Sequence, residues 1–125
     1  MKFASWVFRI AGIYGLLVMT PQYFMEGSIA RDTPPAITHP EFFYGFVGVA
    51  MAWQLAFLAI SVDPVRYRLM MLPAVVEKAS FAIAAVVLFA QQRLAGVVLG
   101  FGMLDGVLGV LFAIAYWKTS DARLK

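Results

Sequence analysis

Arg9, Tyr14, Gln54, Glu77, Lys78 and Asp105 are polar side chains that stand inside otherwise apolar stretches of this chain. A full charge is costly in a low-dielectric setting, so Arg9, Glu77, Lys78 and Asp105 must each be paired or held for a ligand or a proton. Glu77 and Lys78 are neighbours in "LPAVVEKASFAIAAVV" (72–87). Adjacent helical residues point about 100° apart, so the two cannot share one narrow pocket. One of them therefore pairs with a neighbouring helix or a second subunit. Two chemistries fit. In the first, the charges form a structural ion-pair network that fixes helix register, through Lys78–Asp105 and Arg9–Glu77. In the second, Glu77 or Asp105 is a working acid in a ligand or proton site. Gln54 fits a helix–helix hydrogen bond or a ligand contact.

The elements that must position these residues follow from composition. Of 125 residues, 62% are hydrophobic and only 14% charged, with a mean hydropathy of +0.82. Soluble domains carry roughly 25% charge, and a chain this short could not hide so much apolar surface from water. Its solvent is therefore expected to be lipid. Four apolar runs, over 3–25, 42–62, 69–90 and 94–117, are each near the roughly 20 residues that cross a bilayer as a helix. Helices satisfy their own backbone in lipid, and the runs lack the alternation of a membrane barrel. The expected fold is an all-α integral membrane four-helix bundle forming a single domain, with an outer loop over 26–41.

Lys and Arg set the expected orientation. With the N-terminus inside, Lys2, Arg9, Arg66, Arg68, Lys118, Arg123 and Lys125 are cytoplasmic, and only Arg31 and Arg93 lie outside. This bias favours N-in/C-in in a bacterial inner membrane. Trp6, Tyr23, Phe42, Tyr67 and Trp117 sit near run ends, as interfacial aromatics do. A cleaved signal peptide would need a cut after "SIA" (28–30), about ten residues past the apolar stretch, so the first helix is expected to be retained.

Depth along these helices gathers the polar residues. Lys78 is 13 residues from Gln91, or about 20 Å, which sets Glu77 and Lys78 roughly 10 Å inside the inner face. The short link "QQR" (91–93) makes the last two helices antiparallel neighbours and brings Asp105 level with them. Gln54 lies at the same depth, with Tyr14 and Arg9 above and below. The result is one polar layer whose charges sum to zero.

Other features are read as packing or turn chemistry. Gly96, Gly100, Gly102 and Gly106 form two G-x-x-x-G pairs on the last helix, and Gly45, Gly48 and Ala52 form a small face on the second. Such faces serve close packing within the chain or a homodimer. Pro21 and Pro73 could each kink a helix beside a cavity. "THPE" (38–41) has the form of a capping box between Thr38 and Glu41. His39 and Glu41 share residue type with metal ligands but read as cap and turn. The chain has no cysteine, P-loop, H-E-x-x-H motif, glycine fingerprint or basic patch. No metal, cofactor or nucleic-acid partner is expected.

The stretches "THPEFFYGFVGVAMAWQ", "DPVRYRLMMLPAVVEKASF" and "LDGVLGVLFAIAYW" resemble small four-helix bacterial membrane proteins, more loosely the DoxX-like group. That resemblance implies a helical bundle and an association with quinone-linked redox complexes, but carries over no residue role. Three functions remain open. One is a lipophilic-ligand site for a quinone, lipid or amphipathic cation, formed by Glu77, Asp105, Gln54, Lys78, Tyr14 and Arg9, with or without catalysis. Another is a dimeric proton-coupled transporter, like the small multidrug-resistance proteins; their membrane Glu lies in the first helix, which has none here. The last is a structural or assembly subunit of a larger membrane complex.

Overall fold

The computed structural model describes the backbone of residues 2–124 and the side chains of residues 2–120. The side chain of Arg123 and the whole of Lys125, both counted above as cytoplasmic, lie outside the described residues. All elements among the described residues are helical: α1 (Lys2–Met19), a 3-10 turn at Thr20–Phe24, α2 (Glu26–Asp32), α3 (Pro40–Val62), a 3-10 turn at Arg68–Met70, α4 (Met71–Ala90) and α5 (Gly96–Leu124). With their flanking turns, four of these helices are long and apolar enough to cross a membrane: Lys2–Phe24, Pro40–Val62, Arg68–Ala90 and Gly96–Ser120. At about 1.5 Å per residue each spans roughly 35 Å.

The segment over 26–41 is more ordered than the expected loop. It contains α2, with Glu26 in its first turn and Arg31 in its last, the arrangement that complements a helix dipole. Tyr44 donates its hydroxyl to Glu26 at 3.0 Å and stacks on Tyr23 at 6.1 Å, which ties α2 back to α3. The capping box does not form. His39 is the N-cap of α3 and no side chain caps it; the N–H groups of Phe42 and Phe43 bond its carbonyl instead. His39 Nδ1 and Glu41 lie 3.1 Å apart, so these two residues pair with each other at the surface.

Neither proline kinks a helix in the way expected. Pro21 marks the switch from α1 into the 3-10 turn, and Pro73 stands in the first turn of α4. A first-turn proline has no helical hydrogen bond to lose. At the turn after Asp63, the Arg66 N–H bonds the Asp63 carboxylate at 3.3 Å.

The link between α4 and α5 is a Schellman motif. The N–H of Arg93 bonds the carbonyl of Leu88 at 2.8 Å, and the N–H of Gln92 bonds that of Phe89 at 2.9 Å. This geometry puts Gln92 at φ 58°, the left-handed region where a side chain costs about 1 kcal/mol that glycine avoids. Gln92→Gly is therefore expected to raise stability by about 0.5–1 kcal/mol, read as a higher midpoint in SDS titration of the purified protein.

The four long helices pack as two intimate pairs, α1 with α3 and α4 with α5; α1 also meets α5, while α3 and α4 barely touch. The α4–α5 seam is built from small residues. Ala85 meets Gly102, Ala82 meets Gly106, and the Lys78 backbone region meets Gly109. The pairs join at the end holding the start of α1 and the end of α5. There Ala4, Phe8, Ala11, Phe57, Ile60, Met71, Ala74, Phe112 and Ala115 form one buried cluster. Phe8 stacks on Phe112 at 4.1 Å, and Phe57 meets Phe112 edge-on at 4.9 Å. Towards the α2 end the buried cluster shrinks to Met19, Val47 and Ala50, between α1 and α3. The outer surface is as apolar as the inside, with Leu17, Val49, Ile83 and Val107 mostly exposed. In water such a surface would be an aggregation liability; in hydrocarbon it is ordinary.

Candidate functional site

Lys78 is the centre of the polar layer. Its side chain is only 4% exposed, and Nζ lies 3.3 Å from Asp105 Oδ1 and 3.9 Å from Glu77 Oε2. The first is a hydrogen-bonded ion pair; the second is a charge contact without a hydrogen bond. The same ammonium sits 5.3 Å from the Phe57 ring centroid, over the edge of the aromatic core. Lys78 therefore stitches α4 to α5 and caps the Phe8–Phe57–Phe112 cluster. The pairing of Lys78 with Asp105 follows from the antiparallel α4–α5 hairpin and the depth both residues share.

Glu77 faces differently because it is one residue, about 100°, around α4. It lines a groove of about 460 Å³ between α3 and α4, with Gly45, Phe46, Val49, Ala50, Trp53, Ser80 and Phe81. The groove lies between α3 and α4, which belong to different pairs and barely touch. Phe46 and Phe81, with ring centroids 6.3 Å apart, are the main bridge across it. Glu77 Oε2 is buried and has no hydrogen-bond partner, although the side chain as a whole keeps 21% of its exposure. Ser80 donates its hydroxyl to the backbone carbonyl of Glu77 at 3.0 Å, so it does not serve the carboxylate.

The remaining expected members separate. Gln54 is buried but turned away from the groove and onto α1, where its side chain lies over Gly15 in the space a Cβ would fill. Its amide donates to the Ala50 carbonyl at 2.8 Å, and its Oε1 is buried without a partner. Tyr14 is half-buried on α1 and makes no side-chain hydrogen bond or ion pair with Glu77, Lys78 or Asp105. Arg9 does not pair with Glu77. Trp6 and Arg9 share a face at i, i+3, and the Arg9 guanidinium lies 5.2 Å from the Trp6 ring on a side of α1 that is largely exposed. No ion pair of Arg9 occurs among the described residues.

The departure of Arg9 changes the charge balance. Glu77 and Asp105 now face a single cation, Lys78, so the buried triad carries one more carboxylate than ammonium. The expected neutral layer was drawn from depth alone, and depth does not say which way a helix is rotated. The groove walls were not read from the sequence at all. Phe46, Val49, Trp53 and Phe81 sit in runs that are apolar on nearly every helix face, so no periodicity singles them out. The place of Gly15 had a faint signal, the close spacing of Gly12 and Gly15 on α1.

The glycine faces divide as well. Gly102, Gly106 and Gly109 are inside the α4–α5 seam, and Gly48 lies beside the Tyr23 hydroxyl. Added Cβ atoms at Gly45, Gly96 and Gly100 would meet open space. No group of three or more His, Cys, Asp or Glu side chains with metal-holding geometry occurs among the described residues. No protein-family model, curated protein or solved structure matches the chain.

Proposed function

We propose that this is a multi-pass membrane protein of the bacterial inner membrane, N-in/C-in, that binds a lipophilic small molecule in the groove between α3 and α4. A quinone, a lipid or an amphipathic cation fits the class. The observation that carries this reading is the Glu77 carboxylate, the one charged group among the residues lining an apolar groove of about 460 Å³, whose buried Oε2 stands 3.9 Å from Lys78 Nζ, beyond hydrogen-bonding distance. Small-molecule sites of about 300–1,000 Å³ with apolar walls and few polar groups are the usual form. Because the groove runs between helices whose outer faces are apolar, a ligand dissolved in the bilayer could enter sideways without crossing water.

Orientation is supported by Lys2, Arg66, Arg68 and Lys118 at the end where both termini lie, against Arg31 and Arg93 at the other. Several of these cations lie over aromatic rings: Arg68 is 3.6 Å from the Tyr116 centroid and Lys118 4.4 Å from that of Phe3. Cation and ring held together in this way suit a headgroup boundary, where the ring is apolar and the charge is wet.

The test is a thermal-shift panel on detergent-purified protein with decylubiquinone, phosphatidylglycerol and tetraphenylphosphonium. At about 100 times its dissociation constant a ligand adds about 2.7 kcal/mol, which is several degrees for a domain of this size. At least one member is expected to raise the midpoint, and Glu77→Gln is expected to reduce that rise while leaving the unliganded fold intact. A panel in which nothing shifts the wild-type protein would refute the reading.

A further inference from the structure

We infer that the α3–α4 groove is selective for a monovalent hydrophobic organic cation, whose charged head sits on Glu77 and whose apolar body lies against Phe46, Trp53 and Phe81. This rests on the groove being a ligand site, as proposed above, and adds the sign and number of the ligand's charge.

Three independent features converge on it. The first is charge count. Lys78 is hydrogen-bonded to Asp105 at 3.3 Å and stands 3.9 Å from Glu77, so one carboxylate of the triad has no bonded counter-charge. A single cationic head in the groove completes the balance, and a divalent ion would overshoot it. The second is access. Lys78 is sealed beneath the groove, whereas Glu77 lines it, so a ligand entering between α3 and α4 meets the negative charge and not the positive one. An anionic lipid headgroup would face that carboxylate with no cation among the lining residues. The third is the wall chemistry. Three aromatic side chains line the groove, and an organic cation gains from ring faces as well as from the carboxylate. A neutral carbonyl ligand would need hydrogen-bond donors, and the Ser80 hydroxyl is already given to the Glu77 carbonyl. That leaves the indole N–H of Trp53 as the side-chain donor in the wall.

The experiment compares tetraphenylphosphonium with triphenylphosphine oxide, a similar aromatic molecule without net charge, by calorimetric titration of the full chain in neutral detergent micelles. The cation is expected to bind at least about tenfold more tightly than the oxide. Glu77→Gln is expected to bring the two to parity while keeping the helical circular dichroism and the residual apolar binding. Val49→Trp and Ser80→Trp fill the groove from opposite walls, and either one that folds is expected to lose both ligands. Equal binding of the two probes to the wild-type protein, a cation preference that survives Glu77→Gln, or tighter binding of neutral decylubiquinone would each overturn the charge selectivity while leaving a groove site standing. Binding of none of these probes to folded wild-type protein would overturn the groove site itself.

Discussion

Replacing Lys78 with methionine is expected to destabilise the protein by about 3–5 kcal/mol, the usual cost of removing one partner from a buried ion pair. Methionine matches the length and flexibility of the lysine stem, so the loss isolates the ammonium and not the packing against Gly109 or Phe57. Without it, Asp105 loses its 3.3 Å hydrogen bond and Glu77 the one cation within 4 Å of it among the described residues. Two carboxylates then share an apolar interior with no positive charge. The measure is the midpoint and slope of reversible SDS unfolding. Adding Asp105→Asn to the lysine variant should recover a large part of the loss, because it removes the carboxylate that was bonded to the ammonium. A Lys78→Met protein as stable as wild type would mean that the ion pair has no structural role. The asymmetry is informative for function as well. Glu77→Gln removes a charge that is not hydrogen-bonded to Lys78, so its effect on stability should be much smaller than that of Lys78→Met.

The second large effect is expected at the seam of α4 and α5. A Cβ added at Gly102 would lie 2.5 Å from the Ala85 Cβ, closer than two such atoms can approach. Neither atom can rotate away, since both are fixed to backbone, so Gly102→Ala must push the helices apart. A forced shift of this kind typically costs about 1–3 kcal/mol. It should also disturb the register that sets Lys78 against Asp105 further along the same seam. Gly100→Ala is the matched control: its Cβ meets open space, and alanine favours helix over glycine by about 1 kcal/mol. The two substitutions, two residues apart on one helix, are thus expected to move the unfolding midpoint in opposite directions. Combining Gly102→Ala with Ala85→Gly should restore the seam, because the pair then exchanges which helix supplies the methyl group. Equal effects at Gly100 and Gly102 would show that the close approach of these helices is not what holds the hairpin together.

Much of this organisation could be read from the chain. Run lengths near 20 apolar residues mark the four membrane-length segments to within a few residues of their ends, although α1 gives way to a 3-10 turn at Thr20 and α5 runs on to Leu124. Depth counting then joined Lys78 to Asp105, because a three-residue link leaves an antiparallel hairpin little freedom of register. Local errors had local causes. Residues 26–41 read locally as loop, whereas the Glu26–Tyr44 hydrogen bond that ties down α2 joins residues 18 positions apart. The capping expected of Thr38 passed to the backbone of His39.

Rotation of each helix about its axis is what only the tertiary structure decided. In a water-soluble bundle an apolar stripe would have shown which face turns inward, but helices that are apolar all round carry no such stripe. The same sequence pattern is compatible with Arg9 facing Glu77 or lying over Trp6, and with Gln54 in the groove or over Gly15. In the observed rotations small residues meet large or close neighbours: Gly15 makes room for the Gln54 side chain, and Gly102 lets Ala85 approach. Those contacts join α1 to α3 and α4 to α5, while α3 and α4 barely touch. By itself, then, the sequence determined that Glu77 is a charge at depth in an apolar helix. The packing of the pairs decided that it stands in the wall of a groove, while its neighbour Lys78 is sealed behind it, 3.9 Å from its buried oxygen.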